Sequence, residues 1–465
     1  MKRFDTEVQY LKYKVLREVA ISSFEGTMLE SYTNILKKIV PGPKPTTRCC
    51  VYKERAIVAE RINLALGGNK NNPNVIEVID IACDECSLSG FLVTEACRGC
   101  IAHSCKSACK KDAIYFDRNQ KAHIDKEKCI DCGMCANVCP YNAIQNFKRP
   151  CEIACKVKAI SMNENKTAKI DNDKCIACGA CVYQCPFGAI MDKSYITDVI
   201  KLIRENKKVY AIVAPSISSN FTYLKLGQVI TAMKMIGFYD VVEVAIGADM
   251  VALEEAKELK EKGFLTSSCC PSFTSYIKKY HPNLIKNISH SLSPMAVLSK
   301  HIKEQDEDAY VVFIGPCTSK KLEAQDKDVN SYVDYVLTFE ELEALLHSKK
   351  YNLKELEETN ISNASYYGRI FARSGGLTEA VKEALFEQNI DFPFNPILCD
   401  GIEECKKILT KVEKNLIDIN FIEGMACKGG CVSGPCALTH GNKNKEDIDN
   451  YGKLSSKKII MGAYD

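Results

Sequence analysis

The sequence predicts a mixed α/β protein: a cysteine-rich α+β domain followed by a larger domain of helix-covered sheets. Three observations predict it. Cysteines crowd into spaced runs between Cys83 and Cys185 and become sparse after Asp192. Beyond that point the short β-branched runs KKVYAIVAPSI (207–217) and DAYVVFIGPC (308–317) each end at Pro or Gly, as buried strands do. Helical stretches such as ALEEAKELKEK (252–262) and FEELEALLHSKK (339–350) fall between such runs, which is the alternation of a layered domain. The expected division is a helical region at 1–80, a cysteine-rich domain at 81–193 and a large two-lobed domain at 195–465, with a site between the lobes.

Composition bounds the function. The chain has 465 residues, 46% of them hydrophobic and 26% charged, enough for several cores. Lys and Arg number 62 against 59 Asp and Glu, a balance that argues against a nucleic-acid binder. No apolar run reaches a membrane span of about 18 residues. The opening MKRFDTEVQYLKYKVLREVA is charged throughout and lacks the apolar core of a signal peptide, so a cytoplasmic protein is expected. There are 26 cysteines, seven histidines and no tryptophan. In a reducing compartment so many thiols point to metal ligation rather than disulfides.

Residues 1–80 read as helical, because LKYKVLREVA and YKERAIVAERINLAL place apolar residues at three-to-four spacing. The proline-rich PGPKPTTRCC (41–50) interrupts them. A cover for the cysteine-rich domain is the expected role.

Within 81–193 the run Cys129-Ile-Asp-Cys132-Gly-Met-Cys135-Ala-Asn-Val-Cys139-Pro140 returns 46 positions later as Cys175, Cys178, Cys181, Cys185 and Pro186. This C-x2-C-x2-C-x3-C-P pattern is that of two-cluster bacterial ferredoxins, in which the fourth cysteine serves the other cluster. The expected [4Fe–4S] sets are Cys129, Cys132, Cys135 and Cys185, and Cys175, Cys178, Cys181 and Cys139. Tetrahedral zinc does not require two interlocked sets. The repeat extends upstream: Cys105 and Cys109 in one copy correspond to Cys151 and Cys155 in the next, each pair leading into CKKDAI or CKVKAI. By the same symmetry Cys97, Cys100, Cys105 and Cys155 make a third set, and Cys109, Cys151, Cys83 and Cys86 a fourth. His103, Cys49 or Cys50 could replace a ligand in these last two.

In 195–465 three motifs place cysteines in loops flanked by glycine or proline. They are Thr266-Ser267-Ser268-Cys269-Cys270-Pro271-Ser272-Phe273, then Gly315-Pro316-Cys317-Thr318-Ser319-Lys320-Lys321-Leu322-Glu323, then Glu423-Gly424-Met425-Ala426-Cys427-Lys428-Gly429-Gly430-Cys431. In order and core residues they resemble the three signature motifs of [FeFe]-hydrogenases, and the ferredoxin runs resemble that family's accessory domain.

The resemblance implies that Cys270, Cys317, Cys427 and Cys431 hold a [4Fe–4S] cluster, with Cys431 bridging to a two-iron subsite that carries CO, cyanide and a bridging azadithiolate. It implies that Lys320 donates to a cyanide nitrogen and pairs with Glu323. Cys269 takes the position of the proton-relaying thiol, Glu255 and Glu258 those of the relay carboxyls, and Ser289 the hydroxyl between them; Lys262 stands for an arginine near the outer mouth. Pro215 and Ser216, the turn Ser374-Gly375, and Met425 match residues close to the cofactor.

The implied activity is 2 H+ + 2 e− ⇌ H2, catalysed by a monomer that exchanges electrons with a ferredoxin or flavodoxin. Maturation proteins would install the two-iron subsite, with no membrane or nucleic-acid partner. A hydrogen sensor of low turnover, or a non-catalytic iron–sulfur scaffold, is the alternative. The sequence departs from the family pattern at Phe273, Gly315, Met295 and the ending SGPCALTH (433–440). No role is assigned to Cys436.

Overall fold

The run at 208–213 becomes the strand Lys208–Val213, inside a four-stranded parallel sheet. Its neighbours are Asp240–Glu243 on one side and Ala309–Gly315 on the other, with Tyr335–Thr338 beyond. Parallel strands are covered on both faces, so they read as continuous apolar runs. Val209, Ala211, Ile212, Val311, Val312 and Ile314 accordingly lie in the core. A second parallel sheet has the order Leu265–Thr266, Phe421–Met425, Pro396–Asp400. The helix Ala245–Lys262 follows the strand Asp240–Glu243 and packs on the helices Pro294–Gln305 and Gly376–Glu387. The computed structural model describes residues 3–86, 89–361 and 364–462.

All three signature motifs run across the carboxyl end of a parallel strand in one or other sheet: Thr266, Gly315 and Met425 are the last strand residues. In parallel α/β sheets that carboxyl edge is where ligands bind. The two sheets therefore present their motif loops to a shared cleft.

The cysteine-rich region differs from its expected outline. Four short antiparallel pairs build it: Ile76–Val78 with Ile190–Asp192, Gly90–Val93 with Ile144–Phe147, Ile114–Phe116 with Ala122–Ile124, and Ile160–Met162 with Ala168–Ile170. Each of two units thus has one outer pair and one inner hairpin. The first unit, 90–147, is inserted into the second, which consists of 76–86 and 150–192. The domain consequently begins before residue 81, because Ile76–Val78 pairs with its last strand.

The amino-terminal helices form as expected, at Glu7–Glu25, Met28–Ile39 and Val51–Ala65. Thr6 and Gln9 close a capping box on the first, a device that contributes about 1 kcal/mol. That helix packs mainly on Phe339–Leu346 and Ile196–Arg204 of the C-terminal domain, and it also meets the cysteine-rich one, where Lys12 pairs with Asp192 and Val8 lies against Gly188. The third helix serves both: Val58 and Ile62 join the large core, Ile57 and Leu64 the cysteine-rich core.

Candidate functional site

The cleft contains a small apolar cavity of about 70 Å³ lined by Cys269, Cys270, Lys320, Met425, Cys431 and Pro215, with Phe313, Met295 and Phe371 among its apolar walls. Cys270 caps the helix Pro271–Tyr280, and Cys317 precedes Thr318–Glu323. Cys427 and Cys431 follow the strand Phe421–Met425 through the turn Gly429-Gly430, both at positive φ. A Cβ at Gly430 would stand 2.6 Å from the Ser374 amide nitrogen, so only glycine permits this approach.

The four thiols are close enough to oppose one another's ionisation. Burial, then Cys317 and Cys270, push Cys431 up to about 12; Cys427 is raised by burial and by Cys317, Cys270 and Cys431. Such a set is suited to a cationic iron group, which favours thiolates. Ser216, next to Pro215, is buried and its Oγ has no hydrogen-bond partner among the described residues, leaving a donor free for a polar ligand. The residues present therefore fit the cluster that the motifs imply.

Lys320 is buried, with Nζ 2.7 Å from Glu323 Oε2 and 3.3 Å from the Cys269 carbonyl oxygen. Burial works against its charge, but the Glu323 carboxylate outweighs this and raises it. Ser374 and Gly375 do not line the cavity; their neighbour Ala372 does. They hold its rim: Glu423 accepts from the Gly375 amide (2.7 Å), the Thr378 amide (2.8 Å) and the Thr378 hydroxyl (2.7 Å).

From Cys269 a line of polar groups leads outward. Glu255 is fully buried; the Ser268 amide donates to its Oε1 at 3.3 Å, and Oε2 lacks a hydrogen-bond partner among the described residues. Burial pushes its carboxyl up to about 8, so it is mostly neutral at pH 7. Glu255 in turn helps raise Cys269, after burial. Ser289 Oγ donates to Glu258 Oε2 at 2.7 Å, the His290 amide to both Glu258 oxygens at 3.0 Å, and Lys262 Nζ lies 2.7 Å from Glu258 Oε1. Partial burial raises Glu258, but Lys262, Ser289 and the His290 amide outweigh it and lower its pKa. The four residues expected from the motifs are thus arranged in order, from a buried neutral acid to a half-buried ionised one.

In the cysteine-rich region the thiols combine differently from the sets expected by the 46-residue symmetry. Cys105 is raised by burial and by Cys100 and Cys139; Cys135 by burial and by Cys129 and Cys109. Cys132 lines the same cavity as Cys109, Cys129 and Cys135. Cys151 is pushed to about 12 by burial, Cys185, Cys83 and Cys86. Cys181 is raised by burial and by Cys178, Cys175 and Cys155. The thiols that lie together are Cys100 and Cys105 with Cys139; Cys129, Cys132 and Cys135 with Cys109; Cys83, Cys86 and Cys151 with Cys185; and Cys175, Cys178 and Cys181 with Cys155. Cys97 precedes Cys100 by three residues.

The fourth thiol still crosses over, but within each nested unit and not between units. The strand pairing explains why: Cys139 leads into Ile144–Phe147, whose partner Gly90–Val93 leads into Cys97. Four identical contacts mark the repeat, in which the amide of Ala113, Ala143, Ala159 or Ala189 donates to the sulfur four residues earlier. His103 stacks on Phe116 at 3.9 Å. Cys50 caps the helix Val51–Ala65 by accepting from the Lys53 amide, Cys49 precedes it, and neither joins any of the groups.

Comparison with known proteins agrees with this geometry. Residues 207–435 match the family described as iron only hydrogenase large subunit, C-terminal domain. This chain is [FeFe]-hydrogenase-like. Residues 122–145 and 168–191 match a 4Fe-4S binding domain, so the hydrogenase-like protein carries iron–sulfur modules. It is 28% identical to iron hydrogenase 1 of Clostridium pasteurianum over 408 residues, covering 75% of this chain and 70% of that one. It is 31% identical to a cytosolic Fe–S cluster assembly factor of Eremothecium gossypii over 288 residues, covering 48% and 64%. A solved [FeFe]-hydrogenase variant from Chlamydomonas reinhardtii aligns with TM-score 0.47 at 20% identity, over 55% of this chain and 87% of that one.

One part of the hydrogenase-like site was not foreseen. Directly behind Lys320, Lys321 is fully buried, 2.7 Å from both Asp192 and Glu341. Asp192 also meets Lys12 at 2.5 Å, and Lys12 reaches Glu340 at 2.5 Å. Cys436 Sγ donates to Asp192 Oδ1 at 3.8 Å. Donor atoms of Asp192, Glu340 and Cys436 lie within 4.8 Å of one another, but the Lys12 ammonium occupies the position a metal ion would take. Lys12 and Lys321 hold the Asp192 carboxyl well below its usual range against the opposing effect of burial. This network joins the first helix, the end of the cluster domain and the second motif.

Proposed function

We propose that this chain catalyses 2 H+ + 2 e− ⇌ H2. The single observation that carries the reading is the arrangement at one small apolar cavity: Cys270 and Cys431 in its wall with Cys317 and Cys427 close to them, a buried ammonium at Lys320, and an ordered line of proton-bearing groups leaving from Cys269. Cys270, Cys317, Cys427 and Cys431 would hold a [4Fe–4S] cluster, with Cys431 bridging to a two-iron unit. When bound, that unit supplies low-spin iron with CO and cyanide ligands, and a bridging amine, at which dihydrogen is formed or split.

The protein's own residues hold charge, exclude water and move protons. Lys320 offers an ammonium to an anionic ligand in a dry cavity, where a charge-assisted bond is strongest, and Glu323 fixes its position. Met425, Pro215 and Phe313 keep the cavity apolar. The Cys269 thiol passes a proton to or from Glu255, which is neutral at pH 7 and can both donate and accept. Ser289 connects Glu255 to Glu258, and Glu258 exchanges with solvent beside Lys262. The glutamate pair works because burial separates the two pKa values, one raised and one lowered.

The 4Fe–4S modules would bring electrons from a soluble ferredoxin or flavodoxin. Cys178 neighbours Cys270, which supports an electron path from the group 175/178/181/155 to the four motif thiols. We further propose a cytoplasmic monomer whose two-iron unit is installed by maturation proteins. Among the described residues no helix is long and apolar enough to cross a membrane.

A second reading, an iron–sulfur assembly or scaffold protein, is favoured by the likeness to assembly factors. Infrared spectra of anaerobic, matured protein separate the two. CO and cyanide bands that shift under H2 are expected; intact cubane clusters without such bands would overturn the catalytic reading.

A further inference from the structure

A wide groove of about 1170 Å³ runs from the first nested unit, across the second, to the helix Ile402–Glu413 of the catalytic domain. Six lysines line it: Lys148, Lys156, Lys158, Lys406, Lys407 and Lys411. All six are exposed. Lys156 meets Glu403 at 3.2 Å; the other five have no carboxylate partner among the described residues. Three carboxylates share the lining, Asp131, Glu152 and Glu403, so positive charge dominates. At its floor lie half-buried Cys155 and exposed Ile153.

Cys155 makes this patch different from an ordinary solvated lysine face. It belongs to the thiol group with Cys175, Cys178 and Cys181, and Cys178 neighbours Cys270. A partner seated here would lie beside the group nearest the catalytic cavity, bypassing the two groups of the inserted unit. That unit offers an alternative port at its exposed end, where Cys132 is exposed and Ile101 and Ile130 project.

We propose that the lysine groove is a docking site for an acidic one-electron carrier protein, giving the chain a second electron port directly above Cys155. Charge complementarity identifies the partner: five unpaired ammonium groups around a redox-competent sulfur attract an anionic surface and raise the encounter rate. The lysines are spread over three chain segments, which suits a protein surface more than a single phosphate. In each encounter one electron passes from the reduced carrier to the oxidised iron–sulfur group at Cys155; no bond or proton need move. The inference rests on the ligand grouping and electron-transfer role proposed above.

The test uses the full, cluster-loaded chain and a purified acidic [2Fe–2S] ferredoxin, with a basic c-type cytochrome as control. Binding is titrated at several salt concentrations, and cluster reduction is followed by stopped-flow absorbance. In the variant Lys406→Glu/Lys407→Glu/Lys411→Glu, ferredoxin binding is expected to weaken by about tenfold or more at low salt, with a flatter salt dependence. Lys110→Glu/Lys111→Glu, beside the exposed end of the inserted unit, should change it less. In a Cys97→Ser/Cys129→Ser variant, which disables the inserted unit, ferredoxin should still reduce the remaining clusters at a similar rate. Ferredoxin binding that ignores the groove charges, or reduction lost with the inserted unit, overturns the port. Hydrogen turnover with a small viologen tests the proposed activity separately: failure there with ferredoxin binding intact would fault the catalytic reading and leave the port standing.

Discussion

The two nested units follow one plan and sit in opposite surroundings. In the inserted unit the core consists of little more than Ile114, Ala122, Ile144 and the cysteines themselves, and Cys132 is exposed. In the enclosing unit Ile76, Ile79, Ala177, Val182 and Ile190 add an apolar core, and Cys178 is pushed to about 12 by burial. The same repeat position shows the contrast at single-atom scale. A Cβ on Gly133 would meet the edge of the Phe91 ring at 2.8 Å; one on Gly179 would meet Pro435 and Thr318, both of the C-terminal domain, at 2.5 Å. One motif therefore yields a peripheral module with a small apolar core and an embedded one held by its neighbours.

The sharpest way to break this comparison is to remove the iron. Chelation under mild oxidation is expected to unfold 90–147 first, because its side-chain core is too small to stand alone. Hydrogen exchange should rise there by orders of magnitude while 196–346 stays protected; uniform loss of protection would contradict the contrast. Next in size is Asp192→Ala, at the last strand residue of the enclosing unit. It leaves Lys12 and Lys321 buried without a shared partner and should cost about 3–5 kcal/mol by denaturant titration.

Glu255→Gln probes the catalytic side. A carboxyl raised to about 8 in the fold from about 4.5 unfolded binds more protons when folded, so it reduces stability as pH rises through that window. The stability of the variant relative to the parent should rise by about 4 kcal/mol between pH 5 and pH 9. Parallel pH profiles would show that Glu255 is not raised. The finest comparison is Gly179→Ala with Gly133→Ala. Both pay for positive φ, but Gly179→Ala also collides with the fixed Pro435 ring. Its melting loss should exceed that of Gly133→Ala by about 1–2 kcal/mol.

Much of this was legible in the sequence. The β-branched runs at 207–217 and 308–317 became the strands Lys208–Val213 and Ala309–Gly315, because parallel strands announce themselves as continuous apolar runs. The three motifs come together as expected, since each runs across a strand end. The ligand grouping was not legible. The 46-residue shift relates the second halves of two units, and the matching first half, Cys83 and Cys86, is separated from Cys151 by the whole inserted unit. Nor was Ile76–Val78, a three-residue strand defined only by its distant partner Ile190–Asp192.

The Lys12–Asp192–Lys321 network draws on positions hundreds of residues apart, and no local pattern marks a lysine as buried. Of the departures, Phe273 is fully buried beneath Gly424, where a Cβ would stand 2.2 Å from its ring, and Met295 lines the cavity. Gly315 leaves room for the Phe313 ring, which a Cβ would approach to 2.7 Å.

The pairing of Gly90–Val93 with Ile144–Phe147 makes the inserted unit a cassette: its chain leaves the enclosing unit and returns to it at adjacent positions. Insertions with neighbouring ends disturb their host little. The number of thiol groups in line with the cleft is then adjustable by excising or adding one such segment, with the enclosing unit and the cleft left as they are.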